Sequence, residues 1–216
     1  MQLKTIRYID QEEQLPQTGR VIPAQQDPEH IIVYQAYNTQ ITDYALTHQQ
    51  LGGPHFNYER MSWIKPGFLW MMYRCGWAAK EGQENVLAIR IRKADFIYLL
   101  RNTAYSTFKR KIYADKNEWQ QDLAQKAGRL QWDPDHDPYG REIERRAIQV
   151  GLKGSLLQQF GREMIHSIEN ITGFVHEQKQ ILDKKGIESL LVPVETLFET
   201  QHPGLDQWLG LGRLNG

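Results

Sequence analysis

Cysteine is almost absent from this sequence, and long apolar runs are missing. One cysteine, Cys75, stands among 216 residues, which excludes an internal disulfide and a zinc site built from several thiolates. No apolar run approaches the ~20 residues of a membrane span, and the amino-terminal residues lack the apolar stretch of a secretory signal. We therefore expect a soluble cytoplasmic protein without a membrane partner.

The chain also carries no net charge, because 26 Lys and Arg balance 26 Asp and Glu. This balance argues against a protein that coats nucleic acid through bulk positive charge. Residues 60–111, however, contain eleven Lys or Arg and three Asp or Glu, a local excess of eight positive charges. Such a segment predicts a site for a nucleotide or another phosphate-bearing ligand. The alternative is that its cations pair with acids elsewhere, such as Asp133, Asp135 and Asp137.

Complete catalytic motifs are absent as well. The sequence contains no GxxxxGK[ST], GxGxxG, GxSxG or HExxH motif. Its seven histidines are not spaced as metal ligands, so we expect no metal. Arg74 beside Cys75 would favour a reactive thiol, but no histidine is near in sequence. A small buried residue in an aromatic segment explains Cys75 better.

Two kinds of apolar spacing alternate along the chain and indicate a mixed fold. Strands are predicted at residues 6–9, 30–37, 86–92, 129–132 and 190–194, and residues 146–152 fit a strand or a loop. Helices are predicted at residues 39–51, 66–77, 118–126, 155–168 and 171–184, residues 93–100 fit a short helix or turn, and residues 10–29 fit a loop. No regular βαβ period is present. The predicted fold is therefore α+β, a single domain over residues 1–216 with a mixed or antiparallel sheet and packed helices.

Residues 60–77 are the densest aromatic segment of the chain. Trp63, Trp70 and Trp77 recur every seven residues and would share one face of a helix, which is typical of a core helix. Tryptophan faces also suit stacking on a base. Trp70 is therefore a candidate both for the core and for ligand stacking.

The same segment carries three cations, Arg60, Lys65 and Arg74. Burying such groups among aromatic residues costs several kcal/mol, on the order of the penalty for an unpaired charge. They therefore need buried carboxylate partners or an anionic ligand. We predict that they contact a phosphate-bearing ligand.

Two further stretches carry polar side chains in predicted strands. Gln131 and Asp133 alternate along their strand, so their side chains leave on one face and could hold a sugar hydroxyl or stabilise a cationic transition state. The alternative is that Asp133 caps a turn at Pro134. Gln35, beside Tyr34, needs a hydrogen-bond partner, which is either a protein group or a ligand.

These stretches together resemble the domain of unknown function 4291 family of bacteria and fungi. The resemblance rests on residues 6–7, 33–37, 60–77, 86–89, 131–134 and 146–152. It spans residues 5–175 and leaves residues 176–216 as a carboxy-terminal extension. It implies no established activity. The family pattern has Ser at the positions of Gly67 and Cys75 and Glu at the position of Asp135, so neither Cys75 nor Asp135 is assigned a role.

A likeness of pattern to the ADP-ribosyltransferases goes further. Residues 33–52, with a strand, a polar side chain, a helix and glycine, are similar to the opening of that fold, and Gln131-Trp-Asp133 is similar to its Gln-x-Glu arrangement. The likeness implies NAD as a substrate, with Asp133 and Gln131 catalytic and with Tyr34 and Gln35 at the ligand. Asp133 replaces the usual Glu, and Tyr34–Gln35 replaces the usual His or Arg.

The leading hypothesis is an NAD-utilising, ADP-ribosyltransferase-like enzyme; its acceptor is not readable from the sequence, and the basic segment at residues 60–111 allows a nucleic acid in that role. Asp133 would stabilise an oxocarbenium-like centre and Gln131 would orient the acceptor. The ligand-binding candidates are Tyr34, Gln35, Arg60, Lys65, Trp70 and Arg74. One alternative is a non-catalytic module that binds nucleic acid or a nucleotide. Another is a metal-independent nuclease or phosphotransferase that uses arginine and Tyr73.

Overall fold

The computed structural model describes residues 3–212; the outermost residues of the predicted domain, 1–2 and 213–216, lie outside the described part. The strands, in chain order, are β1 (Thr5–Arg7), β2 (Gly19–Arg20), β3 (Pro23–Ala24), β4 (His30–Tyr37), β5 (Ser62–Ile64), β6 (Asn85–Arg92), β7 (Thr103–Tyr105), β8 (Gly128–His136), β9 (Glu142–Leu152), β10 (Ile165–Asn170), β11 (Leu191–Pro193) and β12 (Thr196–Leu197). The α-helices are α1 (Tyr8–Glu13), α2 (Thr39–His48), α3 (Phe68–Cys75), α4 (Lys93–Arg101), α5 (Lys116–Gln125), α6 (Gly154–Gln159), α7 (Thr172–Lys185) and α8 (Pro203–Leu209). The fold is α+β, as predicted.

Two larger sheets form the centre of the molecule. In the first, β4 and β10 both pair antiparallel with β6, in the order β10-β6-β4. The second has the order β2-β9-β8-β7, and β5 also pairs with β9. Two of its pairings are parallel, β2 with β9 and β7 with β8, and the others are antiparallel. This arrangement confirms the predicted mixed sheet.

Alternate residues of β4 point into two different hydrophobic clusters, as the period of a strand requires. Val33 belongs to a cluster that both sheets share with α4 and α6. Tyr34, on the opposite face, belongs to a second cluster between the first sheet, α3 and α7. Helix α3 therefore packs on the outer face of the first sheet. It is also in contact with β8 of the second.

Local sequence explains the ends of the helices that matter for the site. The side chain of Asn38 accepts a hydrogen bond from the Ile41 N–H at 3.0 Å and caps α2. Helix α3 ends at Gly76, whose φ of 59° is left-handed and favours glycine. Four of the five residues from 68 to 72 are buried, which confirms a core helix there. The helix is shorter than predicted, however, and Trp63 lies in β5 and Trp77 beyond Gly76, so the three tryptophans do not share a helix face. Among the described residues, no helix is long and apolar enough to cross a membrane.

The helix predicted at residues 155–168 is confirmed only as far as Met164. There α6 continues into a π-helical turn, Phe160–Met164. The chain then enters β10, in which Ile165 and Ile168 pair with Ile91 and Ile89 of β6. A register shift between residues 165 and 167 adds one residue to β10. This shift lets isoleucines three apart reach the same cluster, a spacing that imitates a helix.

Two other elements differ from the prediction. Strand β8 does not end at Asp133 but continues to His136, with a register shift after Pro134 that accommodates the proline. Residues 10–29 hold part of α1 together with β2 and β3, so they are not a loop throughout. The strand predicted at residues 6–9 is limited to β1, because the helix begins at Tyr8.

Candidate functional site

The polar side chains of β8 lie on the face turned away from the shared cluster. Leu130 and Trp132 are buried in that cluster, so Gln131 and Asp133 leave β8 on the other face. The two side chains meet there: the Gln131 amide donates to one Asp133 carboxylate oxygen at 2.7 Å. Both residues are partly exposed. The predicted pairing of these residues is therefore present on an accessible face of the second sheet.

A second amide holds the other oxygen of the same carboxylate. Gln149 of β9 stands opposite Gln131 in the register, and its Nε2 donates to Asp133 Oδ2 at 2.8 Å. Ser106 donates to the Gln131 Oε1 at 3.3 Å and fixes that amide. The two amide donors hold both oxygens of Asp133, so the orientation of this carboxyl group is fixed. Sequence reasoning missed Gln149, although a lone glutamine in an apolar strand was a visible signal.

Lys65 approaches this carboxylate from the neighbouring strand. Ile64 pairs with Val150 at the end of β5, so the following Lys65 reaches the level of Gln149. Its side chain is buried, with only 3% of the residue exposed. Its ammonium nitrogen donates to the Trp63 carbonyl at 2.8 Å.

The charge on Lys65 is disfavoured by its surroundings. Burial and, to a smaller extent, the positive charge of Arg74 lower the pKa of Lys65 to about 7, against the opposing effects of Cys75 and Asp133. No carboxylate within residues 3–212 forms an ion pair with Lys65. Lys65, Arg74 and Asp133 are thus close enough for each charge to act on the lysine.

Arg74 lies near the end of α3 with an exposed side chain. Within the described part of the chain, Arg74 forms no ion pair with an acid, whereas Arg90 and Arg92 of the same basic segment do. Arg90 pairs with Asp27, and Arg92 pairs with Asp95 at 2.7 Å. The basic segment is therefore only partly neutralised, and Arg74 is a cation free to bind an anion.

Trp70 packs from α3 against the end of β8 as part of an aromatic stack. Its ring lies 5.5 Å from the ring of Tyr73 and 5.3 Å from that of His136, and the rings of Tyr73 and His136 are 3.5 Å apart. Trp70 is only 4% exposed, whereas Tyr73 is 43% exposed. The surface that a ligand could reach in this stack therefore belongs to Tyr73.

Three other candidates lie apart from Asp133. Gln35 donates to the Ser62 hydroxyl at 2.7 Å, on the side of the shared cluster. Tyr34 is fully buried in the second cluster, against Phe68, and burial raises the pKa of its hydroxyl well above the usual value. The Arg60 side chain is exposed before β5. The structure thus places Lys65 near Gln131 and Asp133, with Arg74 acting on Lys65. Tyr34 joins this group only through its backbone, which exchanges hydrogen bonds with that of Lys65 at 2.7 and 3.1 Å. The side chains of Gln35 and Arg60 form no hydrogen bond or ion pair with these residues in the described part of the chain.

Cys75 and the acidic residues do not add a reactive thiol or a metal centre. Cys75 is buried on α3, and burial raises the pKa of its thiol, which disfavours the nucleophilic thiolate. Within residues 3–212, no three or more His, Cys, Asp or Glu side chains are grouped so as to hold a metal ion.

A buried ionic cluster lies behind the site and also escaped sequence analysis. Arg145 donates to Asp135 at 2.8 Å and to Glu12 at 2.8 Å. Nearby, the enclosed carboxylate of Glu195 accepts the Phe68 N–H at 2.7 Å. Burial raises the pKa of Glu195 to about 8, although the hydrogen bond from Phe68 acts in the opposite direction. Arg145 thus ties α1 to β8 and β9, and Glu195 ties the carboxy-terminal segment to the start of α3.

Comparison with known proteins yields one family. The family model described as Domain of unknown function (DUF4291) matches residues 21–198. The match thus includes part of the segment that the sequence analysis set apart as an extension. No curated protein matches the chain.

Proposed function

The chain belongs to the Domain of unknown function (DUF4291) family, and from the site itself we propose that it is an NAD-utilising enzyme that transfers ADP-ribose. The acceptor in this proposal is a nucleic acid, and the protein acts in the cytoplasm. What carries the proposal is the oriented carboxylate of Asp133. Two glutamine amides hold it at 2.7 and 2.8 Å, and the charge of Asp133 and that of the exposed Arg74 both act on the buried Lys65 beside it.

The chemistry of NAD cleavage asks for such an anion. Loss of nicotinamide leaves positive charge on the ribose carbon and its ring oxygen, and a fixed carboxylate stabilises that charge in the transition state. In our proposal Asp133 performs this role. Because its position is fixed before the reaction, no reorganisation is needed as the charge develops.

The other residues of the site have distinct roles in the proposal. The exposed guanidinium of Arg74 binds the pyrophosphate by charge-assisted hydrogen bonds, and Lys65 adds positive charge when it is protonated. Gln131, already bonded to Asp133, orients the acceptor. Tyr73 offers an exposed ring for stacking, with Trp70 and His136 behind it.

Replacing Asp133 by Asn tests the catalytic part of the proposal. The variant should still bind NAD, because Arg74 is unchanged, but nicotinamide release should fall by about 10²–10³-fold, the usual effect of losing a preorganised electrostatic group. Release is measured by chromatography, with and without short RNA and DNA as acceptors. Asp43→Asn, on the exposed face of α2, is the matched control. Normal turnover in Asp133→Asn would rule out this role for the carboxylate.

Replacing Arg74 by Ala tests the binding part. Loss of one charge-assisted hydrogen bond should weaken NAD binding by about 1.5–3 kcal/mol in calorimetry. The exposed Arg101 of α4, changed to Ala, should leave the affinity as it was. Equal affinity of Arg74→Ala and the unchanged protein would show that this arginine does not hold the ligand.

A non-catalytic module that binds nucleic acid or a nucleotide is the second candidate. The observation that favours it is the exposure of both Arg60 and Arg74, neither of which forms an ion pair within the described residues. Oligonucleotide binding that weakens steeply with salt, without any nicotinamide release, would support this function over transfer of ADP-ribose.

A further inference from the structure

A cavity lies on the outer face of the first sheet, near the start of β4 and apart from the residues around Asp133. Its volume is about 170 Å³, against ~30 Å³ for a water molecule in the liquid, which is enough for a tetrahedral oxyanion. Its walls include Lys4, the turn between β3 and β4, and Arg90 of β6. The side chains of Asp27 and Arg90 are 37% and 24% exposed, so the cavity opens to solvent.

Strand pairing places two polar side chains in this cavity wall. The Ile32 N–H donates to the Gln25 carbonyl at 2.9 Å, and Ile32 stands opposite Arg90 in the pairing of β4 with β6. Residues that stand opposite each other in antiparallel strands have their side chains on the same face. Ile32 belongs to the second cluster, on the outer face. Gln25, Ile32 and Arg90 therefore form a row on that face, and all three line the cavity.

Both polar side chains of this row keep hydrogen-bonding groups without a partner in the described chain. Gln25 is only 6% exposed, its Oε1 is enclosed, and its amide forms no hydrogen bond with a described residue. The Nη2 of Arg90 contacts Asp27 and His30 at 2.5 and 3.0 Å, but its enclosed Nε–H has no such partner. Buried polar groups are nearly always hydrogen-bonded. The pair therefore indicates a ligand that offers an acceptor to Arg90 and a donor to Gln25.

The charges of the cavity favour an anion. Asp27, the carboxylate in its wall, accepts from Arg90 at 2.5 Å and from two N–H groups of its own turn at 2.8 and 2.9 Å. Lys4 is exposed and forms no ion pair within residues 3–212. Glu169 faces the same side of the sheet from β10 but does not line the cavity. Lys4 and Arg90 thus carry one positive charge more than Asp27 offsets, which attracts an anion.

We propose that this cavity binds inorganic phosphate. Lys4 and the Arg90 Nε–H donate to its charged oxygens, and the hydroxyl that hydrogen phosphate retains at neutral pH donates to Gln25 Oε1. Sulfate and dianionic phosphate esters lack such a hydroxyl and leave the glutamine oxygen unpaired, which disfavours them. The site shares no residue with the one at Asp133 and does not rest on the transfer of ADP-ribose.

Titration calorimetry in a phosphate-free buffer at pH 7.5 tests the proposal on the unchanged protein. Inorganic phosphate should bind, and sulfate and glycerol 3-phosphate should each bind at least about tenfold more weakly, the effect of one unpaired buried acceptor. No binding at millimolar phosphate would overturn the proposal. Equal affinity for sulfate would overturn the role of Gln25, and tighter binding of glycerol 3-phosphate would show that the ligand is an ester instead of free phosphate.

Variants locate the site. Gln25→Leu, which removes the amide at similar size, should weaken phosphate binding about tenfold and leave sulfate binding as it was, so that the preference is lost. Lys4→Met should weaken the binding of both anions about tenfold. Lys153→Met, which removes an exposed lysine after β9, is the matched control and should bind as the unchanged protein does.

Unfolding curves establish that each variant is folded before its affinity is compared. Full phosphate affinity in both Gln25→Leu and Lys4→Met would show that the anion binds elsewhere and would overturn the proposal. Loss of phosphate binding in Arg74→Ala, with binding retained in Lys4→Met, would assign the anion to the face that carries Asp133 and would overturn it as well.

Discussion

The sequence predicted Trp70 both as a core residue and as a residue that stacks on a ligand; its burial supports the first of these. Its ring is almost fully buried between α3 and the end of β8, where it lies near the rings of Tyr73 and His136. A ligand cannot reach a ring enclosed in this way without displacing the stack. Trp70 therefore acts first through packing, and the exposed Tyr73 is the better candidate for contact with a ligand.

Changing Trp70 to Ala should reduce the free energy of unfolding by about 3–5 kcal/mol, the range for removing a large aromatic residue from a core. Urea unfolding followed by circular dichroism measures this loss. Tyr73→Ala, on the exposed side of the same stack, should cost less than about 2 kcal/mol by comparison. An unchanged unfolding midpoint in Trp70→Ala would show that the ring does not stabilise the core.

Among the helices and strands, the sequence predicts correctly those whose apolar spacing fits only one kind of element. Strands β4 and β6 and the helix α3 follow from local pattern alone, since each is bounded by caps, glycine or polar residues. Segment 155–168 follows only up to Met164, because its last residues extend the helical spacing into the irregular strand β10, which pairs with β6. That pairing depends on residues distant in sequence, so it could not be predicted from the local sequence pattern.

Part of the candidate site could likewise be predicted from local sequence, and part of it could not. Gln131 and Asp133 were predicted to share a face, because two residues of one strand fix that relation. The contribution of Gln149 was not predictable, because it depends on the register between β8 and β9. Arg60, Lys65 and Arg74 were grouped by closeness in sequence, yet the turn between β5 and α3 brings only the last two near Asp133.

Gly128, the first residue of β8, provides a test of how tightly the second sheet packs. A Cβ at this position would lie 2.7 Å from the Asn102 carbonyl oxygen and 2.8 Å from the Thr103 Cγ2, and a backbone oxygen cannot move aside easily. Gly128→Ala should therefore lower the unfolding free energy by about 2–3 kcal/mol. Thermal and urea unfolding provide the measurement.

Gly173 in α7 is the matched control for that change. Nothing lies within 4 Å of a Cβ built there, so Gly173→Ala should raise stability by about 0.5–1 kcal/mol through the helix propensity of alanine. Equal effects of the two substitutions would contradict the close approach between β8 and the chain at Asn102.

For the whole molecule, two buried groups make stability depend on pH in opposite directions. Glu195 is expected to ionise near its usual value of 4.5 when unfolded and at about 8 when folded. Between these values only the folded protein holds the proton, so stability falls as pH rises. Lys65 has a usual value of 10.5 and a folded value of about 7. The unfolded protein binds more protons between these values, so stability rises with pH there.

Glu195→Gln should separate the two effects. The amide oxygen can still accept the Phe68 N–H, but it carries no charge above pH 8. The variant should gain stability over the unchanged protein as pH rises from 4.5 to 8, by at most about 5 kcal/mol. Unfolding curves across this range measure the gain. Glu199→Gln, exposed in the same segment, should follow the unchanged protein, and a parallel curve for Glu195→Gln would refute the assignment.

The pairing of β1 with β11 has a consequence for synthesis on the ribosome. Thr5 has its strand partner at Pro193, and the Gln11 side chain bonds the backbone of Glu195. At about 5–20 residues per second, the intervening chain takes roughly 10–40 s to be made. Over that interval the newly made β1 and α1 lack the residues they pair with. They can pair only after residues 191–195 have been made, so this pairing cannot form until almost the whole chain has been made.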